Sequence, residues 1–467
     1  MLWRWPEDQP PDRVALRFGA ARITYGELAR DARRVAAGLA GSGVARGDRV
    51  AFLGHNDPAQ IVLLFACARL GAILLPLNWR LAAPELRFIL DDAGARLLCA
   101  LPALHEAAVQ AAPQGCRVVP MPEAEGAPTP AGSDADPVLL VYTSGTTGTP
   151  KGAVLDQRAL AANAAHARAV FDLAPDDRVL TVLPLSHVGG LNIQTLPALR
   201  IGAEVLLHAR FEPDAFLDAV ERGRPTLSLL VPAVMQALVA HRRWASADLS
   251  ALRAIGAGSS DIPLPLIEAL HAKGVPVQQV YGATETAPIA IAQTREEALA
   301  APGSIGRPVG AVEARLDPAT GEIAIRGPNV MRGYWKRSDG LTADGWFATG
   351  DVGRMDAQGR FWFTDRLKHV IISGGENIYP AEVERVLAEA PGVAEGAVIG
   401  RPDPRWGEVP VAVVVPGAGF DAASVLAHFE GRLARFKHPR DVIVVEALPR
   451  TALGKVATGI LRAMVRA

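Results

Sequence analysis

The chain has 467 residues, of which 49% are hydrophobic and 21% charged, with a formal net charge of −1. That length suits a large domain with a smaller one beside it, and the composition excludes a disordered chain. The balanced charge gives no reason to expect a nucleic acid or an anionic membrane surface as partner.

Residues 1–13 mix acids with prolines and do not read as a signal peptide. Thr24 and Glu27 stand in capping-box positions, with Leu28, Val35 and Leu39 spaced to share one helical face. A strand-like stretch at 49–53, an apolar run over 61–77 and a strand-like stretch at 72–75 predict a β-α-β passage. The apolar run is interrupted by Arg69 and is too short to span a bilayer comfortably. Residues 120–136, rich in Pro, Gly and Ala, predict a surface linker. The β-α alternation recurs between 178 and 231, with strands expected at 179–183, 203–207 and 226–231. This is the pattern of an α/β fold with a largely parallel sheet. Beyond about residue 320 the texture changes. Short alternating strands at 321–326 and 359–364 predict a β-rich subdomain. A compact unit then follows, with a helix at 380–390, strands at 396–399 and 409–415, a helix at 421–435 and a strand at 441–445. Cys67, Cys99 and Cys116 lack metal-ligand spacing and read as buried free thiols in a reducing cytosol, so a cytoplasmic protein is expected. The ten histidines show no ligand spacing, and no structural zinc site is expected.

Chemistry concentrates in a few segments. Residues 142–152 read Tyr-Thr-Ser-Gly-Thr-Thr-Gly-Thr-Pro-Lys-Gly and follow a short apolar run at 138–141 that suits a buried parallel strand. Glycines admit close backbone approach to an anion, hydroxyls add donors and Lys151 adds a point charge, which together suit phosphate. The Walker pattern is not met, because Pro150 precedes the lysine and Gly152 follows it. Residues 281–286, Tyr-Gly-Ala-Thr-Glu-Thr, join an aromatic ring fit to stack on a base with a carboxylate fit to hold a divalent cation. Asp351 closes Gly-Trp-Phe-Ala-Thr-Gly-Asp, where a carboxylate can accept from sugar hydroxyls. Residues 364–380 carry a charged head, with Asp365-Arg-Leu-Lys368 expected to be exposed, a β run and a Gly-Gly turn, and residues 448–455 set Lys455 on a glycine turn. Only six of the 48 basic residues are lysines, and Lys151, Lys368 and Lys455 all fall in these segments.

In this order and spacing, the segments resemble the adenylate-forming superfamily: acyl-CoA synthetases, adenylation domains of nonribosomal peptide synthetases, and luciferases. The resemblance runs from about Thr24 to the last residues. It implies an N-terminal ATP- and acyl-binding domain over 1–366, with mostly parallel sheets and the β-rich subdomain. It also implies a small, mobile α+β C-terminal domain over 367–467. The implied chemistry is activation of a carboxylate by ATP with Mg²⁺, through an acyl-adenylate, followed by transfer to a thiol. By resemblance, Thr143, Ser144, Gly145, Thr146, Thr147, Gly148 and Lys151 surround the triphosphate. Tyr281 and Gly282 lie against adenine near Gly258 and Ser259. Thr284 contacts the α-phosphate, Glu285 holds the metal, and Asp351 and Arg366 bind ribose. Lys455 touches the carboxylate and the α-phosphate during adenylation, Lys368 is the hinge, and Gly374 and Gly375 face the incoming thiol. His187 resembles an aromatic gate beside the acyl pocket, although Ser186 stands where relatives often carry an aromatic residue.

The Gly-Gly turn at 374–375 in a chain with no carrier domain favours coenzyme A as acceptor. The alternatives are a freestanding enzyme that loads a carrier-protein thiol, and a non-catalytic AMP-binding protein. The stretches that the resemblance implies line the acyl pocket, around 187–192, 231–235, 256–260 and 279–289, contain no Lys or Arg, so a second carboxylate on the acid would be left unpaired. An apolar aromatic or medium-chain monocarboxylate is therefore expected, acted on by a monomer or homodimer.

Overall fold

The capping box forms as the sequence predicts. The Glu27 amide donates to Thr24 Oγ1 at 3.2 Å, the Thr24 amide donates to Glu27 Oε2 at 2.8 Å, and helix Tyr25–Gly41 buries Leu28, Val35 and Leu39. The computed structural model describes residues 1–143, 150–258, 262–373, 376–403, 406–433, 435–451 and 454–466, without the side chains at 368, 372, 376, 377 and 466. Ser144, Gly145, Thr146, Thr147, Gly148, Ser259, Gly374, Gly375 and the Lys368 side chain therefore lie outside the described residues.

The chain divides into two units. The first comprises Met1–Ala314 and Ile325–Ala348, and the second comprises Arg315–Ala324 and Thr349–Ala467. In the first unit, a six-stranded sheet runs in the order Arg117–Val119, Leu97–Ala100, Arg49–Leu53, Ile73–Leu77, Pro137–Thr143, Lys151–Asp156. Its strands are parallel except for the last, which returns antiparallel on Pro137–Thr143. The apolar run after Asp57 is a core helix, Pro58–Leu70. Asp57 caps it through the Ala59 amide, Pro58 fits its first turn, and Gly71 ends it in the left-handed conformation at φ 72°. Nearly every residue of this helix is buried, and among the described residues no helix is long and apolar enough to cross a membrane.

A nine-stranded sheet holds the second alternating region. Its parallel centre runs Val277–Tyr281, Ala254–Gly258, Leu227–Leu230, Arg178–Thr181, Glu204–Leu207 and Val14–Phe18, with antiparallel strands at both ends. Strands buried on both faces read as continuous apolar runs, which is why these were legible. Residues 120–136 form neither helix nor strand, as expected of a linker, and Asp136 anchors their end by an ion pair with Arg46.

A four-stranded sheet orders Glu313–Leu316, Glu322–Arg326, Phe347–Met355 and Phe361–Arg366, the last two antiparallel, with Gly321 and Gly359 at positive φ in its turns. In the second unit, Val393–Asp403 and Gly407–Pro416 form a long hairpin, and Ile371–Ser373 (antiparallel) and Val442–Val444 (parallel) both pair with its Gly407–Pro416 strand. Side chains alternate across it. Val398, Ala412 and Val414 join Val383 and Leu387 of helix Pro380–Ala388 in one cluster, while Ala397, Ile399 and Val413 meet Leu448 and Leu461 in another. The helix expected over 421–435 is shorter than predicted. It ends at Ala427, and turns carry the chain through Gly431 at φ 73°. Phe429 is still fully buried, so packing rather than helix periodicity accounts for its apolar signal.

Candidate active site

Residues 144–149 are spanned by a defined stem. Thr143 pairs with Lys151 and Tyr142 with Gly152 across two antiparallel strands, and Thr143 Oγ1 donates to the Lys151 carbonyl at 3.4 Å. An added Cβ at Gly152 would meet Leu140 Cδ1 at 2.8 Å and the Tyr142 ring at 3.0 Å, so a glycine is needed where the stem crosses its own aromatic residue. Tyr142 OH hydrogen-bonds Asp92, which fixes the ring.

Lys151 is directed inward, with its side chain 16% exposed, and Nζ lies 3.5 Å from Asp339 Oδ2 and 5.1 Å from the Tyr334 ring centroid. The Tyr334 hydroxyl donates to Glu285 Oε1 at 2.7 Å. Desolvation and the Glu285 charge push the Tyr334 phenol well above its ordinary range, so it remains a donor. Glu285 is only 7% exposed, on the short turn Thr284–Thr286, and its carbonyl accepts from the Met331 amide at 2.7 Å. Asn329 Nδ2 ties the same turn down through the Thr286 and Ile289 carbonyls, at 2.6 and 3.0 Å. The segment 332–335 also bonds along the edge of strand Lys151–Asp156: Arg332 donates to Val154, Val154 to Gly333 and Trp335 to Gly152. One loop thus connects the lysine of the phosphate segment to the carboxylate of the second motif.

Sequence reasoning missed Tyr334, Asp339 and Asn329. Tyr334 and Glu285 are 49 positions apart, and no local periodicity signals a contact of that kind.

Tyr281 is the last residue of a parallel strand, half-buried, and Gly258 and Gly282 flank it in space and sequence. An added Cβ would fall 2.5 Å from the Val280 carbonyl oxygen at Gly258 and 1.8 Å from that of Pro288 at Gly282. Neither position admits a side chain. His187 precedes an irregular helix in which Val188–Gly190 runs into a π-helical turn, Leu191–Thr195, and then into Leu196–Ile201. Asn56 holds the approach to His187, donating to the Leu183 and His208 carbonyls and accepting from the Leu185 amide at 2.7 Å.

In the second unit, Asp351 and Arg366 are cross-strand partners. Arg366 Nε lies 2.6 Å from Asp351 Oδ1, and Asp351 is 7% exposed. Lys455 sits on a turn closed by Thr451 and Gly454: the Thr451 amide donates to the Lys455 carbonyl at 2.7 Å, and Gly454 adopts φ 77°. Desolvation and then the Arg366 charge hold the Lys455 ammonium below its ordinary range, with Asp351 acting in the opposite sense. The residue as a whole still reaches solvent. The second unit therefore brings Asp351, Arg366 and Lys455 into electrostatic reach of one another. Asp365, which the sequence suggests is exposed, is buried. One carboxylate oxygen accepts from the Ala381 amide at 2.7 Å, at the start of helix Pro380–Ala388.

The AMP-binding enzyme family matches residues 2–335, and the AMP-binding enzyme C-terminal domain matches residues 382–455. The chain belongs to the AMP-binding enzymes. The chain is 47% identical to the indoleacetate–CoA ligase of Aromatoleum aromaticum, covering 97% of this chain and 96% of that one. It is 44% identical to the feruloyl-CoA synthase of an Amycolatopsis species, covering 99% and 98%. Among solved structures, o-succinylbenzoate coenzyme A synthetase of Bacillus subtilis, in complex with ATP and magnesium ion, superposes with a TM-score of 0.90. That match has 31% identity and covers 99% of this chain and 98% of that one.

This AMP-binding enzyme is an acid–CoA ligase that forms acyl-CoA through an acyl-adenylate, using ATP, Mg²⁺ and coenzyme A. All three cysteines are free thiols. Cys67 and Cys99 are buried and Cys116 is partly so, and desolvation pushes the Cys99 and Cys116 thiols up to about 12 and about 11.

Proposed function

We propose that this ligase activates an apolar monocarboxylate, aromatic before medium-chain aliphatic, and transfers it to coenzyme A in the cytoplasm. The observation that carries the substrate reading is the absence of Lys and Arg from the pocket stretches 187–192, 231–235, 256–260 and 279–289. Names of relatives at 47% and 44% identity, with indoleacetate and ferulate as acids, support the aromatic preference. A second carboxylate would be buried without a counter-charge there, at a cost of several kcal/mol, about 10²-fold or more in specificity.

The residues divide the work as follows. Lys151 supplies charge to the triphosphate, beside the hydroxyls and glycines of 143–148. Tyr281, with Gly258, Ser259 and Gly282, accommodates adenine, and Asp351 and Arg366 hold ribose. Thr284 contacts the α-phosphate. A buried carboxylate clamped by Tyr334 OH at one oxygen suits Mg²⁺, which takes one or two carboxylates plus phosphate oxygens and water. Bound there, Mg²⁺ neutralises developing phosphate charge. Lys455 meets the negative charge that builds when the carboxylate attacks phosphorus, where positioned cations lower the barrier and covalent catalysis is unnecessary. His187 borders the acyl pocket, Lys368 is the pivot between the two half-reactions, and Gly374 and Gly375 admit the thiol.

Pyrophosphate release measured over acetate, malonate, octanoate, benzoate, ferulate and indoleacetate, each with and without coenzyme A, tests this reading. The expected kcat/KM is highest for an aromatic acid, with coenzyme A required for turnover. Highest values for acetate or malonate would contradict the pocket assignment, and turnover only with a carrier protein would contradict the acceptor.

A further inference from the structure

Along residues 186–194, the Ser186 hydroxyl and both ends of the Asn192 and Gln194 side-chain amides are buried with no hydrogen-bond partner among the described residues. Asn192 and Gln194 are 1% and 2% exposed. Folded interiors leave very few buried amides unmatched at both ends, because each has lost its water without replacement. Asn163 and Thr195, beside these amides, do have partners. Asn163 donates through Nδ2 to the Asn192 carbonyl at 2.7 Å, and its Oδ1 accepts from the Ile289 amide at 2.8 Å. Thr195 Oγ1 donates to the Gly190 carbonyl at 2.7 Å and lies 2.8 Å from Thr181 Oγ1. The backbone is therefore pinned, while the two amides between these anchors are held ready and unspent.

The turn that presents them is π-helical, Leu191–Thr195, a local form that adds a residue to the turn and recurs at functional sites. Its start is fixed by Gly190, where an added Cβ would come within 2.3 Å of the Pro184 carbonyl oxygen. Gln194 Nε2 reaches the strand Ala254–Gly258 at Gly256, where an added Cβ would lie 3.0 Å from that nitrogen and 2.9 Å from Phe171 Cζ. The strand is bare at this point, under a polar amide and beside an aromatic ring. Gly256 and Asn192 both fall in stretches assigned above to the acyl pocket.

We infer that Asn192 and Gln194 read a neutral hydrogen-bonding group on the acyl tail, so that the preferred acid is an aromatic acid bearing a ring N–H or hydroxyl. This rests on the proposed function and narrows its substrate class. Each amide offers a donor and an acceptor and matches a neutral group of either sense. It brings no net charge and so does not rescue a second carboxylate. A site built to hydrogen-bond a substrate N–H or O–H rejects the analogue that lacks it, because its own polar groups are then left unmatched.

The test compares kcat/KM in two matched pairs, indole-3-acetate against naphthalene-1-acetate and 4-hydroxycinnamate against cinnamate, in the wild type, Gln194→Met and Asn192→Leu. The wild type should favour the polar member of at least one pair by about tenfold or more. In the variants the polar member should lose about tenfold and its apolar counterpart much less, with the thermal midpoint of the ligand-free protein not lowered. Wild-type ratios near one in both pairs would overturn the inference. So would variants that depress both members equally, the behaviour of amides satisfied by structural water. Failure of all four aromatic acids to support pyrophosphate release, with an aliphatic acid active, would instead overturn the aromatic reading on which the inference rests.

Discussion

At the scale of single residues, the phenol of Tyr334 has a position that its surroundings define closely. It donates to the buried carboxylate of Glu285 and presents its ring to the Lys151 ammonium. A hydrogen bond to a carboxylate contributes about 1.5–3 kcal/mol, so Tyr334→Phe should lower adenylation by about 10- to 100-fold while leaving the fold intact. Titrating Mg²⁺ in the pyrophosphate-release assay checks the mechanism: the variant should need more metal for half-maximal rate. An unchanged Mg²⁺ dependence with unchanged rate would show that Tyr334 does not orient Glu285. Lys455 gives a second residue-scale expectation. Its ammonium is held below the ordinary lysine value of 10.5, chiefly by desolvation. The charged form is therefore complete below that lowered value and lost as pH rises through it, earlier than for an ordinary lysine. The alkaline limb of kcat/KM for adenylation should fall correspondingly early, and Lys455→Arg should remove that limb at the cost of rate. An alkaline limb unchanged in Lys455→Arg would assign it to another group.

At the scale of elements, what was legible and what was not follow from the range of the interactions. The Thr24–Glu27 cap and the apolar runs of the parallel strands are local signals, and each forms where the sequence places it. The segment 142–152 stands out for a different reason: its glycines and hydroxyls are contiguous in sequence, and of its described residues Thr143 and Lys151 pair across antiparallel strands. The reading failed where a side chain's partner is remote. The apolar spacing of 421–435 suggested one helix, but Phe429 and Leu433 are apolar because they pack on the hairpin core, not because they share a helical stripe. Asp365 looked like a surface charge because its partner, the Ala381 amide, is 16 residues away. That carboxylate supplies an acceptor at the N-terminal turn of helix Pro380–Ala388, as an N-cap would. Asp365→Ala should destabilise the protein by about 0.5–2 kcal/mol, and by less for Asp365→Asn, read from chemical unfolding followed in the second unit. Equal stability of all three proteins would remove the capping role.

At the scale of the whole molecule, the proposed function divides two half-reactions between different parts of residues 367–467. Under that proposal Lys455 would serve adenylate formation, Gly374 and Gly375 would serve the thiol, and Lys368 would be the residue about which the backbone turns between them. Proline at 368 fixes φ and removes a backbone donor, which should arrest that turn. The most direct measurement runs the half-reactions separately, pyrophosphate release from acid and ATP, and conversion of a supplied acyl-adenylate with coenzyme A, on Lys455→Ala and Lys368→Pro. The expected result is a crossed pattern: Lys455→Ala loses the first and keeps the second, and Lys368→Pro keeps the first and loses the second. Equal loss of both half-reactions in Lys455→Ala, or wild-type rates for both in Lys368→Pro, would contradict it.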